Sequence, residues 1–170
     1  MSEFSRPLRI DTIGTEPRVV AIEAGPAERG ALARRFDIGS LDRLTAEASV
    51  YRQAGDVRAT GTLHARLVQL CVATNIELPA QIAEGFDIVF RSKLPSEVPE
   101  AGLELSEGEC DVVFFEGGAV DLGEAVAETL ALAIDPYPRA GNADAALKEM
   151  GVLNEGEAGP FAALAGLKRG

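Results

Sequence analysis

The chain has 170 residues, of which 46% are hydrophobic and 25% charged, and its formal net charge is −11. That length suits one domain of roughly 100–200 residues, and the composition is globular rather than disordered. The longest apolar-rich stretch, 125–134, is interrupted by Glu128 and falls short of the ~20 residues of a spanning helix, so no membrane span is expected.

The N-terminus lacks a basic segment followed by an apolar one, which predicts no signal peptide and a cytoplasmic protein. Aromatic residues make up 5% and tryptophan is absent, so the core is expected to rest on Leu, Val, Ile and Ala. The charge is uneven. Residues 1–70 carry 10 arginines against 9 acids, whereas residues 71–170 carry 6 basic residues against 18 acids. An acidic half repels phosphate backbones and attracts basic proteins. Cys71 and Cys110 are expected as buried free thiols, with a disulfide between them as the alternative.

In chain order, residues 6–10 and 18–23 are short and β-branched, with Pro7 and Pro17 where strands begin. Residues 26–36 read as a helix: Pro26 suits its first position, Glu28 its first turn, and Arg34 and Arg35 its last. Leu32 and Phe36 lie four apart on one face of it.

A β-hairpin follows. Leu44, Ala46, Ala48 and Val50 alternate with Thr45, Glu47, Ser49 and Tyr51, residues 53–56 turn, and Val57, Ala59, Gly61, Leu63, Ala65 and Leu67 alternate with Arg58, Thr60, Thr62, His64 and Arg66. This period of two predicts a sheet with one solvated face. A third strand over 78–90 makes a meander, with Ala80, Ile82, Phe86, Ile88 and Phe90 on one parity and Gln81, Ala83 and Asp87 on the other.

Periodicity then lapses. Residues 92–109 carry prolines, glycines and Glu97, Glu100, Glu104, Glu107 and Glu109, which predicts a mobile acidic loop. Residues 110–115 resume as a strand, closed by Gly117 and Gly118. Residues 121–133 form the best helix, with Asp121 as N-cap and Glu124 three residues on. Pro136 and Pro138 stop it. Residues 139–159 read as a flexible segment with a short helix near 143–150, and an apolar segment runs from Pro160. The expected fold is α+β: an antiparallel β-meander sheet of five or six strands with helices packed on one side, an acidic loop and a short C-terminal apolar tail, all in a single domain over 1–170.

A nucleophilic triad needs a base, and His64, the only histidine, sits mid-strand on the polar face. Neither a phosphate loop nor a dinucleotide-binding turn is present. Two cysteines and one histidine do not make a zinc site, and the calcium-loop pattern is missing. No catalytic residue, metal or cofactor is therefore expected; paired carboxylates acting as a hydrolase are the enzymatic alternative. Arg58, His64 and Arg66 share one strand face, while Arg29, Arg34 and Arg35 crowd one helix, so a local basic patch that touches RNA is expected at the first group.

The helix from Asp121 with Leu122, Glu124 and Glu128, followed by Pro136 and Pro138 and by the tail with Pro160, Phe161, Leu164, Leu167 and Lys168, resembles the YceD family, the large ribosomal RNA subunit accumulation proteins. The resemblance covers nearly the whole chain. It implies a non-enzymatic ribosome-biogenesis factor for the synthesis, processing or stability of large-subunit (23S) rRNA. Its partner would be a basic ribosomal protein or a large-subunit assembly factor, met by Asp121, Leu122, Glu124, Glu128, Pro160, Phe161, Leu164, Leu167 and Lys168, with Arg58, His64 and Arg66 as the candidates for direct rRNA contact. Many members carry a Cys-x-x-Cys where this chain has Cys71 and Thr74, and a further cysteine after the two prolines, where residues 139–144 have none. A carrier that holds a small molecule on the concave face of the meander is the alternative function.

Overall fold

The computed structural model describes residues 2–93 and 111–151. These fall into two compact units, one formed by residues 2–68, 79–93 and 111–135, the other by residues 69–78 and 136–151.

The first unit is built on a five-stranded sheet in the order β2-β3-β4-β5-β6, with β2 at Arg18–Glu23, β3 at Ser40–Gln53, β4 at Asp56–Leu70, β5 at Glu77–Ser92 and β6 at Asp111–Phe115. The β3–β4 hairpin turns on Ala54 and Gly55, both at positive φ (51° and 92°), the conformation that matches the twist of the flanking strands. Its alternation sorts as the sequence predicts: Leu44, Ala46, Ala48, Val50, Val57, Ala59, Leu63, Ala65 and Leu67 are buried, and the intervening polar residues face outward.

Gly61 sits at an inward position with no room for a side chain. Opposite Ala48, the hairpin bends so tightly that a Cβ on Gly61 would lie 2.1 Å from the Glu47 carbonyl oxygen. Lower down, the register slips between Leu41 and Arg43, so that Leu41 faces Leu67 and Arg43 faces Arg66. This bulge buries both Leu41 and Leu44 while Asp42 and Arg43 are exposed, a device that re-aims side chains.

The meander expected from β3 to β5 is present, but β6 runs parallel to β5, pairing Ile88 with Asp111 and Ser92 with Phe115. A parallel neighbour requires the chain to return along the strand first, and residues 93–110 supply that length. The acidic loop expected over 92–109 lies almost wholly outside the described residues.

Helix α1, Pro26–Arg35, packs on β3 through Leu32 and Ala33. Glu28 reaches back to accept from the Gly25 N–H (2.7 Å) and is gripped by both terminal nitrogens of Arg6 at 2.7 and 2.9 Å. Helix α2, Leu122–Ala133, buries Leu122, Gly123, Ala125, Val126, Ala127 and Leu130. Two short strands pair antiparallel as a separate two-stranded sheet: β1 at Pro7–Arg9, within the strand expected over 6–10, and β7 at Ala119–Asp121, not expected from sequence. They bring Phe4, fully buried, against α2, where a Cβ on Gly123 would come within 2.4 Å of the Phe4 carbonyl oxygen. In the second unit, helix α3 spans Ala143–Glu149, near the short helix expected there.

Candidate functional site

Two regions carry the site residues suggested by the sequence. At the start of α2, Asp121 is the N-cap. Its Oδ1 accepts from the Glu124 N–H at 3.1 Å and from the Arg6 N–H at 2.8 Å, and its Oδ2 from the Ser5 hydroxyl at 2.5 Å. Leu122 is buried, 1% exposed. Glu124 binds both terminal nitrogens of Arg35 at 2.7 and 3.1 Å, and Arg35 also meets Glu3 at 3.0 Å. That guanidinium holds the Glu124 carboxyl below the usual glutamate range, and the carboxylates raise Arg35 in return. Asp121, Leu122 and Glu124 thus anchor the N-terminal arm to α2, and Glu128 is the exposed one of the four. Pro160, Phe161, Leu164, Leu167 and Lys168 lie outside the described residues.

The second region is the open face of the sheet. Its strand pairings place residues in rows: Glu23, Thr45 and His64; then Ala21, Glu47 and Thr62; then Val19, Ser49 and Thr60. Together they line a broad open recess of about 950 Å³. Short hydroxyl and methyl side chains make its floor. The opposite face of the sheet is filled by the core, in which Leu44, Leu63, Leu67, Ile88 and Phe90 are each no more than 2% exposed. Beyond His64 a second recess, about 340 Å³, is lined by Arg43, Thr45, His64, Arg66, Gln81 and Ala83.

Arg58, His64 and Arg66 share this face, as their parity requires, but they do not act as one cluster. Arg58 donates from one edge of its guanidinium, through Nε and Nη2, to both oxygens of the Asp87 carboxylate, with the Nε contact at 2.8 Å. Arg58 in turn holds the Asp87 carboxyl below its usual range. His64 and Arg66 are exposed in the smaller recess. There Arg66 directly faces Arg43, a residue that the sequence reading did not single out. Arg43 shares the parity of Thr45 and Glu47, so extending the strand one residue back from Leu44 would have found it.

In the second unit Cys71 is a buried free thiol at a tight turn. Its N–H donates to the Ile76 carbonyl (2.9 Å), its carbonyl accepts from Asn75 N–H (2.8 Å), and Asn75 has φ 57°. The Ala140 N–H donates to Sγ at 3.3 Å and is the main cause that lowers the thiol to about 7. Cys110 lies outside the described residues, and among the described residues no three His, Cys, Asp or Glu side chains gather as a metal site.

The model of the family described as large ribosomal RNA subunit accumulation protein YceD matches residues 59–168, more than half of the chain. The chain belongs to the YceD family. The match runs from β4 through α2 and α3, so both regions described above fall partly within the YceD segment. No curated protein and no solved structure matches the chain. No helix among the described residues is long and apolar enough to cross a membrane.

Proposed function

We propose that the protein is a non-enzymatic, cytoplasmic factor in large-subunit ribosome biogenesis that supports the synthesis, processing or stability of 23S rRNA by binding protein or ribonucleoprotein. The family match over residues 59–168 carries this reading. The charge distribution supports it physically. The excess of acids after residue 70 gives long-range attraction for a basic ribosomal protein or assembly factor. In that contact Glu128 presents charge on α2, Asp121, Leu122 and Glu124 position the helix, and Pro160, Phe161, Leu164, Leu167 and Lys168 supply the apolar and basic part. The carrier alternative is less well supported, because the large recess is an open stretch of sheet surface rather than an enclosed cavity.

Depleting the protein and quantifying 23S and 16S rRNA tests the proposal, with sedimentation of the tagged chain through a gradient alongside. A selective fall in 23S rRNA and co-migration with large-subunit precursors are expected. Normal 23S levels together with migration only as free protein would refute it.

A further inference from the structure

Five of the eleven arginines of the first unit are ion-paired: Arg6 with Glu28, Arg9 with Asp11, Arg35 with Glu3 and Glu124, Arg58 with Asp87, and Arg91 with Asp56. Arg43 and Arg66 are among the six that are not, and they alone of those six face each other across a strand pair. They stand directly opposite each other in the β3–β4 register, both exposed, and neither forms an ion pair with a described residue. Directly opposed side chains on neighbouring strands have Cβ atoms about 5 Å apart, and like charges there cost stability. The regular hairpin register sets this unfavourable pair, and the slip just beyond it, between Leu41 and Arg43, keeps Leu41 as well as Leu44 in the core.

Around the pair, the recess of about 340 Å³ offers hydrogen-bonding groups on Thr45, His64 and Gln81. Along the strand register the acids that follow are Glu23, opposite Thr45, and Glu47, opposite Thr62, while the exposed Asp42 adjoins Arg43 in the chain and accepts from the Ser40 hydroxyl. The two glutamates bound the cationic end of the face without neutralising it. Two guanidinium forks set side by side with flanking donors suit phosphate oxygens, which accept in bidentate fashion. An acidic peptide is the weaker fit, because the one large aliphatic residue lining this end, Ile82, is partly buried against the core and no phenylalanine, tyrosine or tryptophan anchor stands beside it. With the His64 imidazole as its one ring, the recess offers little for stacking of unpaired bases and suits the backbone of helical RNA.

We infer that the Arg43–Arg66 end of the open sheet face binds the phosphate backbone of helical RNA. Only the choice of RNA as the polyanion rests on the functional reading above; Arg58, already held by Asp87, is not part of the site.

The test is fluorescence anisotropy of the full chain with a labelled hairpin from large-subunit rRNA, across a salt series. Wild type is compared with R43A/R66A and with R18A/R34A, which removes two exposed arginines elsewhere. The expected result is at least a tenfold loss of affinity in R43A/R66A and little change in R18A/R34A. The log–log salt slope of R43A/R66A should be shallower by about 1.4–1.8, the value for two lost phosphate contacts. Circular dichroism of R43A/R66A should remain that of the wild type. Equal affinity and slope in all three proteins would overturn the inference, as would a larger loss in R18A/R34A or no binding by wild type. Tighter, Arg43- and Arg66-dependent binding of a polyglutamate peptide would also overturn it, by assigning the site to acidic protein. If 23S rRNA still falls on depletion while the site fails these tests, the biogenesis reading survives and only the RNA site is lost.

Discussion

Replacing Asp121 by alanine removes the acceptor that joins α2 to the N-terminal arm. The Glu124 N–H loses its cap, a change that costs about 1 kcal/mol at typical helix N-termini. The Arg6 N–H, part-buried and bound at 2.8 Å, loses its partner, for about 1 kcal/mol more. Removing a negative charge from the helix N-terminus adds about 0.5 kcal/mol. Because Asp121 is only half-buried, water can take up part of the loss, and the expected destabilisation is about 2 kcal/mol. For a chain of this length that corresponds to a fall in Tm of roughly 4–8 °C. Asp121→Asn keeps an acceptor oxygen but not the charge, so it should recover about half of the loss. Urea denaturation of the two variants measures both numbers. A change below about 0.5 kcal/mol in Asp121→Ala would refute the argument, and so would an asparagine variant as unstable as the alanine one.

Gly61→Ala should cost about 2–3 kcal/mol by chemical denaturation, since its Cβ meets backbone 2.1 Å away that cannot swing aside. Arg66→Thr should leave stability unchanged or raise it by about 0.5 kcal/mol, because it relieves the opposed like charges of Arg43 and Arg66; a clear loss would show that the pair is not repulsive. Glu28, Asp87 and Glu124 all have lowered pKa values beside arginines, so their stabilisation is complete above the ordinary carboxylate range and is lost as pH falls through the lowered values. Urea midpoints should therefore hold from pH 7 to about 5 and decline below the ordinary glutamate value of 4.5, and Glu124→Gln should flatten that decline. Alkylation of Cys71 in the native C110S protein should be slow and inflect near pH 7, against about 8.5 in denaturant; a native inflection above 8 would contradict the hydrogen bond from Ala140.

The hairpin, α1 and α2 were legible because each writes its own period into a contiguous stretch. The β2 strand emerged with its observed bounds, and Asp121 announced α2 by its capping chemistry. What could not be read depends on partners distant in sequence. The strand at 6–10 was legible, but its partner β7, three residues long and more than a hundred positions away, was not. The parallel direction of β6 is a property of its connection and not of residues 111–115. The same limit governs the site. Parity placed His64 and Arg66 outward, but the neutralisation of Arg58 depends on how β4 aligns with β5, whereas the meeting of Arg43 with Arg66 follows from the hairpin register running unbroken from the 53–56 turn back to Arg43. Asp121 could be read as the N-cap of α2, but the ion pair of Glu124 with Arg35 could not, because it joins residues 89 positions apart.

The small β1–β7 sheet also sets a schedule for the newly made chain. Pro7, Leu8 and Arg9 find their strand partners in Asp121, Val120 and Ala119, and Phe4 is packed where α2 begins. At about 5–20 residues per second, a ribosome takes roughly 6–25 s to travel from β1 to the end of α2. The hairpin can close during that interval, since all its contacts are already outside the exit tunnel. The amino terminus, made first, is then the last part of its unit to settle, and until it does it remains open to chaperones and proteases.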